Sequence, residues 1–446
     1  MTEPLIHREG PPADLLITRA HVLDPRTGLD APHDVLIRQG EIAEIGEPGG
    51  LTATAGTETV DGTGKHLLPA FVDPHVHLRT PGQEHKEDLD TGTRAAAAGG
   101  YCAVVAMPNT SPVVDSAPIL RSLRDAAARE ARIPVGFMPC ITQGMKGEHL
   151  TEMAELRELG ALGFTDDGKP VRSAQVLRLA LQYQKMVGGV LALHEEDPAL
   201  SGSGAMHEGT VSALLGIAGI PSISESTMVA RDALIAEYEG GHIHIQHVSA
   251  KETVQAIADA KARGVRITGE ASPHHLTLTH DGVKSLDTRL KMNPPLRTEE
   301  DRQAIIAALR DGTLDCIATD HAPHARDEKE VPFEQAPMGT TGLETAFASI
   351  YTDLVVPGTL ALSLVVERMS SGAAILGLDT PKVETGRRAD LTLLDLNAEW
   401  TVGEDGYESR SENCCFAGRT FRGRVLMTVA AGSVAYRQRA FAVVEA

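Results

Sequence analysis

Along residues 67–384 the chain repeats one pattern, a short apolar run followed by a longer stretch with apolar residues at helical spacing. Short apolar runs are typical of strands buried on both faces, and the longer spacing is typical of amphipathic helices. The pattern predicts eight strands, at residues 71–77, 102–109, 134–140, 161–167, 190–195, 242–248, 265–272 and 315–321. It predicts helices between them, at 86–98, 116–130, 149–159, 174–186, 224–238, 251–263 and 298–310, and after them at 342–353 and 360–375. Eight strands alternating with helices predict an α/β fold, the (β/α)8 barrel.

The two ends of the chain have a different pattern. Residues 1–66 and 385–446 carry short alternating apolar runs between Gly, Pro and Asp, which are typical of strands and hairpins. We expect these two segments to form one small β-sandwich beside a barrel made by residues 67–384. A doubly wound open sheet is the alternative for the central part, but no Gly-x-Gly-x-x-Gly loop follows the first strand.

Composition narrows the class of protein. The 446 residues are 42% hydrophobic and 23% charged, as in globular proteins, and 41 basic against 61 acidic residues give a net charge of −20. This charge argues against nucleic acid or an anionic membrane as partner. The five cysteines form no Cys-x-x-Cys pair, and neither a signal-peptide core nor a long apolar run is present. A cytoplasmic location is therefore expected.

A barrel of this type carries its chemistry at the C-terminal ends of its strands, and polar residues are found there. The strand ends carry His75, His77 and Arg79 on strand 1, Asn109 on strand 2, Asp167 on strand 4, His194 on strand 5, His247 on strand 6 and Asp320 on strand 8. A catalytic zinc ion keeps about three protein ligands, so four imidazoles and two carboxylates suit two zinc ions better than one. Such a pair shares one carboxylate and holds a hydroxide between the ions. Asp320 can take a proton from that hydroxide and deliver it to a leaving nitrogen.

Two residues at the end of strand 4 are candidates for the shared ligand. Asp167 stands at the strand end, where a short side chain must start. Lys169, which carbon dioxide can carboxylate, lies between Gly168 and Pro170, where the chain already turns into a loop. The sequence therefore favours Asp167 as the bridge.

Other histidines are expected to be structural. His242 and His244 share a strand face with Gln246 and lie opposite His247, so we expect them to point toward the helix layer. His207 is expected to be exposed. Glu195 and Glu196, which follow His194, are expected behind the ligands or on the surface.

Further groups near the strand ends are candidates for binding a small molecule. Arg79 can clamp a carboxylate, and Asn109 and Asn293 can both donate and accept hydrogen bonds. His324 comes shortly after Asp320, and the polar loop 325–341 is a candidate lid or wall of the pocket. This set favours a small substrate with a carboxylate and an amide or urea carbonyl.

Several motifs together resemble the class I dihydroorotases of the amidohydrolase superfamily. They are Asp73-Pro-His-Val-His-Leu-Arg, Pro81-Gly-Gln-Glu-His-Lys-Glu-Asp, Met107-Pro-Asn-Thr, Phe164-Thr-Asp-Asp-Gly, His247-Val-Ser, Lys291-Met-Asn-Pro-Pro-Leu-Arg and Ala318-Thr-Asp-His-Ala-Pro-His. The resemblance implies zinc-dependent, reversible cyclisation of N-carbamoyl-L-aspartate to dihydroorotate, a step of pyrimidine biosynthesis. There are two departures. Thr80 stands where the family more often has Glu, and the bridge is Asp where many superfamily members use a carboxylated Lys.

The resemblance also implies residue roles and partners. It assigns His75, His77, Asp167 and Asp320 to one zinc ion, and Asp167, His194 and His247 to the other. It assigns substrate contacts to His77, Arg79, Asn109, Asn293 and His324 and to the backbone of Met338 and Gly339. A homodimer is expected, and an aspartate transcarbamoylase is a candidate partner. The alternatives are a hydantoinase or allantoinase, and an inactive subunit that only scaffolds aspartate transcarbamoylase.

Overall fold

The computed structural model describes residues 2–439 and residue 441, so Met1, Ala440 and residues 442–446 of the two predicted terminal segments lie outside the described residues. The strands are β1 (Leu15–Asp24), β2 (Leu29–Arg38), β3 (Glu41–Gly46), β4 (Glu58–Asp61), β5 (His66–Pro69), β6 (Phe71–Val76), β7 (Tyr101–Ala106), β8 (Val135–Phe137), β9 (Phe164–Thr165), β10 (Leu191–Leu193), β11 (Met206–His207), β12 (Gly219–Ile220), β13 (His242–Ile245), β14 (Arg266–Ala271), β15 (Cys316–Ile317), β16 (Leu391–Thr401), β17 (Thr420–Ala430) and β18 (Ser433–Arg437).

The α-helices are α1 (Leu89–Ala98), α2 (Ala117–Glu130), α3 (Met153–Glu158), α4 (Ala174–Val187), α5 (Pro198–Ser201), α6 (Thr210–Leu215), α7 (Ile223–Glu239), α8 (Lys251–Ala262), α9 (Pro273–Thr277), α10 (Glu299–Asp311), α11 (Arg326–Lys329), α12 (Ala346–Ile350), α13 (Leu362–Arg368) and α14 (Gly372–Ile375). Short 3₁₀-helices cover Gln143–Met145, His280–Ser285 and Thr288–Leu290, and a π-helical turn covers Tyr351–Val355. Among the described residues, no helix is both long and apolar enough to cross a membrane.

Eight parallel strands form the barrel. One run pairs β6, β7 and β8, and a second pairs β9, β10, β13, β14 and β15 in that order. Backbone hydrogen bonds close the ring, from the amide of Leu162 to the carbonyl of Phe137 (3.0 Å) and from the amide of His77 to the carbonyl of His321 (2.9 Å). The predicted (β/α)8 barrel is confirmed. Its strands are shorter than predicted, because the polar residues at their ends leave the ladder and turn into the site.

Alternation along the strands separates two hydrophobic layers. On β7, for example, Val104 packs in the large cluster between strands and helices, whereas Val105 packs in a small cluster inside the barrel. Leu376 belongs to that inner cluster, and Leu5 and Leu378 pack against it. The inner cluster supports the polar residues at the strand ends.

Both ends of the chain build the second β-structure. Its sheet has the order β18-β17-β16-β5-β1-β2-β3, with β4 also paired to β1. Apolar residues from both segments, such as Ile17 and Leu393, share its separate hydrophobic core. The predicted β-sandwich of N- and C-terminal segments is confirmed. Strand β5 pairs with β16 through residues 66–69, so the sheet continues past the predicted limit at residue 66.

The loops after the C-terminal ends of the barrel strands contain elements that the apolar periodicity did not predict. The parallel pair β11–β12 and the helices α5 and α6 follow β10, α9 follows β14, and α11 follows β15. They are only two to six residues long, which is too short for a helical or alternating period to be recognised.

Candidate active site

The six predicted metal ligands lie together at the barrel mouth. Oδ1 of Asp167 is 3.4 Å from Nε2 of His75, 3.8 Å from Nδ1 of His194 and 3.6 Å from Nε2 of His247. Its Oδ2 is 3.4 Å from Nε2 of His77, which is 3.0 Å from Oδ1 of Asp320. Asp167 therefore occupies the centre of the cluster.

Two candidate metal-ligand atoms in this cluster are buried without a hydrogen-bond partner. Nε2 of His75 and Oδ1 of Asp167 are buried and accept or donate no hydrogen bond. Buried polar atoms without partners are rare and costly, and a metal ion satisfies both. Two groups here can each hold an ion, one with His75, Asp167 and His247 and one with His75, His77 and Asp320. The residues present thus fit a metal cofactor.

The histidines of the cluster keep its two carboxyl groups ionised, and this negative charge favours a bound cation. Although burial opposes it, His75 and the neighbouring imidazoles hold the pKa of Asp167 well below its ordinary value. In the same way the pKa of Asp320 falls to about 2, because His77 and His75 outweigh its burial. Both carboxylates are therefore anionic at neutral pH, which is the form that binds a cation.

Three of the four imidazoles have a hydrogen-bond acceptor at the ring nitrogen that points away from the proposed metal positions. Nδ1 of His75 donates to Oε1 of Glu270 (2.6 Å) and Nδ1 of His77 donates to Oδ1 of Asn109 (2.8 Å). Nε2 of His194 is 3.4 Å from Oε2 of Glu196. Each such partner fixes the tautomer that leaves the opposite ring nitrogen for a metal.

The backbone adopts a left-handed conformation, with positive φ, at three strand ends. His247, Asp320 and Arg79 have φ values of +33°, +48° and +59°. Such values are uncommon for residues with a Cβ and cost on the order of 1–3 kcal/mol each. At His247 this conformation turns into the mouth a side chain that strand alternation alone would aim at the helix layer.

The left-handed conformation of His247 makes one expectation from the sequence wrong. His244 and Gln246 do not point toward the helix layer. Nε2 of His244 is 3.0 Å from Oε2 of Glu270, and Oε1 of Gln246 accepts from the hydroxyl of Thr165 (3.1 Å), both inside the barrel. His247 also faces inward, since its left-handed conformation breaks the alternation.

A second expectation was wrong in the loop after β10. His207 is buried rather than exposed, and its Nδ1 is 3.3 Å from Nη1 of Arg297. Arg297 also donates to the hydroxyl of Ser249 (2.7 Å) and pairs with Glu225 (3.4 Å), all in the interior. The last residue of the Lys291–Arg297 motif thus braces the loops around the mouth.

The predicted substrate groups border the cluster. Arg79 is buried, its Nε donates to the carbonyl of Pro323 (3.1 Å), and burial lowers its pKa to about 10. Asn293 donates to Oε2 of Glu196 (2.6 Å) and lies 3.4 Å from Nε2 of His194. Arg79 is therefore charged at neutral pH, and Asn293 lies directly against the ligand set.

His324 and the segment after the loop form one side of the pocket. Nε2 of His324 donates to the carbonyl of Met338 (2.9 Å), and burial beside Arg79 lowers the pKa of this histidine to about 3. Gly339 has a φ of +141°, and a Cβ at this position would lie 2.9 Å from Ala322. Glycine is required there because the chain passes so close.

The loop 325–341 is held as a wall. Nζ of Lys329 donates to the carbonyls of Thr288 (3.0 Å), Lys291 (3.3 Å) and Pro337 (2.7 Å). Nζ of Lys291 donates to the carbonyls of Phe333 (2.8 Å) and Glu334 (2.9 Å). Two buried lysine side chains therefore hold the loop through five hydrogen bonds, four of which join the loop to residues outside it, and this favours the wall over the lid.

Sequence reasoning missed or underrated residues that complete the site. Asn413, from the C-terminal segment, accepts from the amide of His324 (3.0 Å) and donates to the carbonyls of Ala322 and Gly339 (3.1 Å each). No local signal marks it, because it is distant in sequence. Glu270 had a signal that was not used, since it is an acidic residue within an apolar strand.

Comparisons with known proteins agree with this architecture. Residues 64–253 match the family described as "Dihydro-orotase-like", and residues 204–435 match the "Amidohydrolase family". A dihydroorotase of Trichlorobacter lovleyi is 45% identical over 427 residues, covering 96% of this chain and 100% of that protein. A dihydroorotase of Citrifermentans bemidjiense is 47% identical over 425 residues, covering 95% and 100%. The solved L-hydantoinase of Arthrobacter aurescens has a TM-score of 0.84 at 23% identity, covering 95% of this chain and 96% of that one, which supports the fold alone.

The central position of Asp167 gives a first prediction. Asp167→Ala should lose bound metal, whereas Lys169→Ala should keep it, because Asp167 is buried at the centre and Lys169 is exposed. Metal content per chain, measured after gel filtration, checks this. Reconstitution of the metal-free protein should not depend on bicarbonate. Loss of metal in Lys169→Ala, or recovery only with bicarbonate, would assign the bridge to Lys169 instead.

The buried lysine of the wall gives a second prediction. Burial, with Lys291 adding to it, lowers the pKa of Lys329 from 10.5 to about 7. Between these values the unfolded chain holds a proton that the folded chain lacks, so the free energy of unfolding rises with pH. The difference in that free energy between wild type and Lys329→Met should therefore grow by about 2–3 kcal/mol from pH 7 to pH 9.5.

Urea unfolding at both pH values measures this difference. The exposed Lys146 supplies the control, and Lys146→Met should show no such growth. Equal differences at both pH values for Lys329→Met would mean that Lys329 keeps its ordinary pKa.

Proposed function

The chain belongs to the dihydroorotase family of amidohydrolases, and we propose on this basis that it catalyses the reversible cyclisation of N-carbamoyl-L-aspartate to dihydroorotate and water. This reaction belongs to de novo pyrimidine biosynthesis. The observation that carries the proposal is the full-length similarity at 45–47% identity, together with six converging ligand side chains. An inactive scaffold subunit would have no need of that convergence.

The metal cofactor is assigned to two zinc ions. His75, His77, Asp167 and Asp320 would hold one, and Asp167, His194 and His247 the other. When bound, such ions lower the pKa of a water molecule and polarise the carbonyl that it attacks. Imidazole-rich sites of this kind suit zinc better than magnesium.

We assign Asp320 the role of proton carrier. Its contacts with His75 and His77 are made by Oδ1, so Oδ2 is the oxygen that takes the proton. In hydrolysis the water oxygen bonds to the ring carbonyl carbon while Asp320 accepts one proton. Asp320 then donates that proton to the ring nitrogen as the carbon–nitrogen bond breaks. Cyclisation runs through the same steps in reverse.

The groups around the ligands orient the substrate. Arg79 is charged and buried, so it suits the substrate carboxylate as a charge-assisted clamp. Asn293 and His324 would contact the ring amide and urea groups, and His77 would contribute from the ligand set. Asn109 bonds to His77, so its effect on substrate acts at least partly through that ring. The backbone of Met338 and Gly339 forms the adjoining wall.

Turnover of dihydroorotate, hydantoin and allantoin, assayed side by side with metal analysis, tests the function. Dihydroorotate should be the preferred substrate by a large factor in kcat/KM. Preference for hydantoin or allantoin would support the rival cyclic amide hydrolases. No turnover of any of them by the metal-loaded protein would support the scaffold subunit.

The carboxylate clamp gives a prediction of its own. Arg79→Ala should lower kcat/KM for dihydroorotate by about 10- to 150-fold, since a charge-assisted hydrogen bond is worth about 1.5–3 kcal/mol. Metal content should stay near that of wild type. Arg121→Ala, at an exposed position on α2, is the matched control and should change neither value. Wild-type kcat/KM in Arg79→Ala would remove Arg79 from substrate binding.

The proposed role of Asp320 as proton carrier gives another prediction. Asp320→Ala should abolish turnover in both directions, because hydrolysis needs the base and ring closure needs its conjugate acid. The hydrolytic rate of wild type should rise with pH through one ionisation, whose apparent pKa belongs to the whole site. Initial rates across the pH range measure this. A variant that lost only one direction would contradict a shared proton carrier.

The partners and location are proposals as well. Large apolar side chains are exposed on the neighbouring helices α4 and α7, with Met186 at 83%, Tyr238 at 79% and Leu234 at 60% exposure. We assign this surface to a second copy of the chain. Light scattering should find a dimer for wild type and a monomer for Leu234→Lys, and a dimeric Leu234→Lys would reject the surface.

Co-elution with an aspartate transcarbamoylase tests the other candidate partner. The five free cysteines support a cytoplasmic location.

A further inference from the structure

Glu270 lies on β14 with no solvent exposure, inside the barrel below the metal ligands. Its Oε1 accepts from Nδ1 of His75 (2.6 Å) and from the backbone amide of His247 (3.0 Å). Its Oε2 accepts from Nε2 of His244 (3.0 Å), and Nδ1 of His244 is 2.9 Å from the hydroxyl of Thr268. One buried carboxylate therefore contacts two of the candidate ligand residues, His75 and His247.

The two contacts act on different parts of those residues. The bond to Nδ1 of His75 fixes the ring and leaves Nε2 facing Asp167 and Asp320. The bond to the amide of His247 holds a residue whose φ is +33°. Since left-handed backbone at such a residue persists only when its surroundings enforce it, this bond keeps the His247 ring in the mouth.

We propose that Glu270 is a positioning residue that sets the geometry of both metal positions at once, and that His244 holds Glu270 in place. The inference rests on the proposed two-metal site, in which His75 belongs to one ion and His247 to the other. Glu270 touches neither substrate nor metal and acts through these two histidines.

His244, Glu270 and Cys316 also lie close enough together to bind an ion themselves. The contacts argue against this, because both oxygens of Glu270 are already engaged. Burial moreover raises the pKa of the Cys316 thiol well above its ordinary value, so the thiolate that a metal needs is disfavoured. The cluster is therefore a hydrogen-bonded support.

The test measures metal binding rather than turnover. Stepwise zinc affinity is obtained by chelator competition, and the visible spectrum of the cobalt-substituted protein reports the geometry at each position. Glu270→Ala should weaken both binding steps by about 10- to 100-fold and change the cobalt bands of both. Glu270→Gln keeps an acceptor for His75 and should recover most of the affinity.

Variants of the neighbours separate this role from others. His244→Gln should weaken both steps less than Glu270→Ala does. Cys316→Ser should leave both steps and the number of ions per chain unchanged. Loss of an ion in Cys316→Ser would overturn the proposal in favour of a metal site at this cluster.

Other outcomes are equally decisive. If Glu270→Ala weakens only one step, or neither, the shared positioning role is wrong. If Glu270→Ala does not fold, as circular dichroism would show, wild-type affinity in His244→Gln with unshifted cobalt bands overturns the proposal. Wild-type protein that binds fewer than two ions would reject the proposed two-metal site itself.

Discussion

Three imidazoles face one oxygen of Asp167, and much of the barrel mouth is arranged to keep them there. They come from β6 and from the ends of β10 and β13, and each ring nitrogen lies 3.4–3.8 Å from Oδ1. Side chains from separate strands converge in this way only if the strands are closed into a ring and end at the same height. A carboxylate without partners at this depth is expensive, so the arrangement is stable only with positive charge around it.

Most of the fold and the ligand set could be predicted from the sequence, because they depend on local periods. Alternation along β6 places Val76 in the outer layer and His75 inside, and the same rule brings Asp167 and His194 to the mouth. These residues needed only the identification of the strands and their ends.

Alternation failed where the backbone left the strand conformation. His247 turns inward because its φ is positive, and the sequence gives no sign of this since only a few per cent of residues other than glycine adopt that region. His244 was assigned to the wrong face for the same reason. The partners Glu270 and Asn413 depend on contacts between distant segments, which no local pattern encodes.

The wall of the pocket is completed by Asn413, which lies between β16 and β17 of the terminal sheet. During synthesis the barrel strands leave the ribosome well before this residue does. The pocket can therefore be completed only when nearly the whole chain has been made. The pairing of β5 with β16 likewise cannot form until the residues of β16 have been synthesised. Such pairing between distant segments slows folding, and a barrel expressed without the final segment would present an open, unsupported pocket.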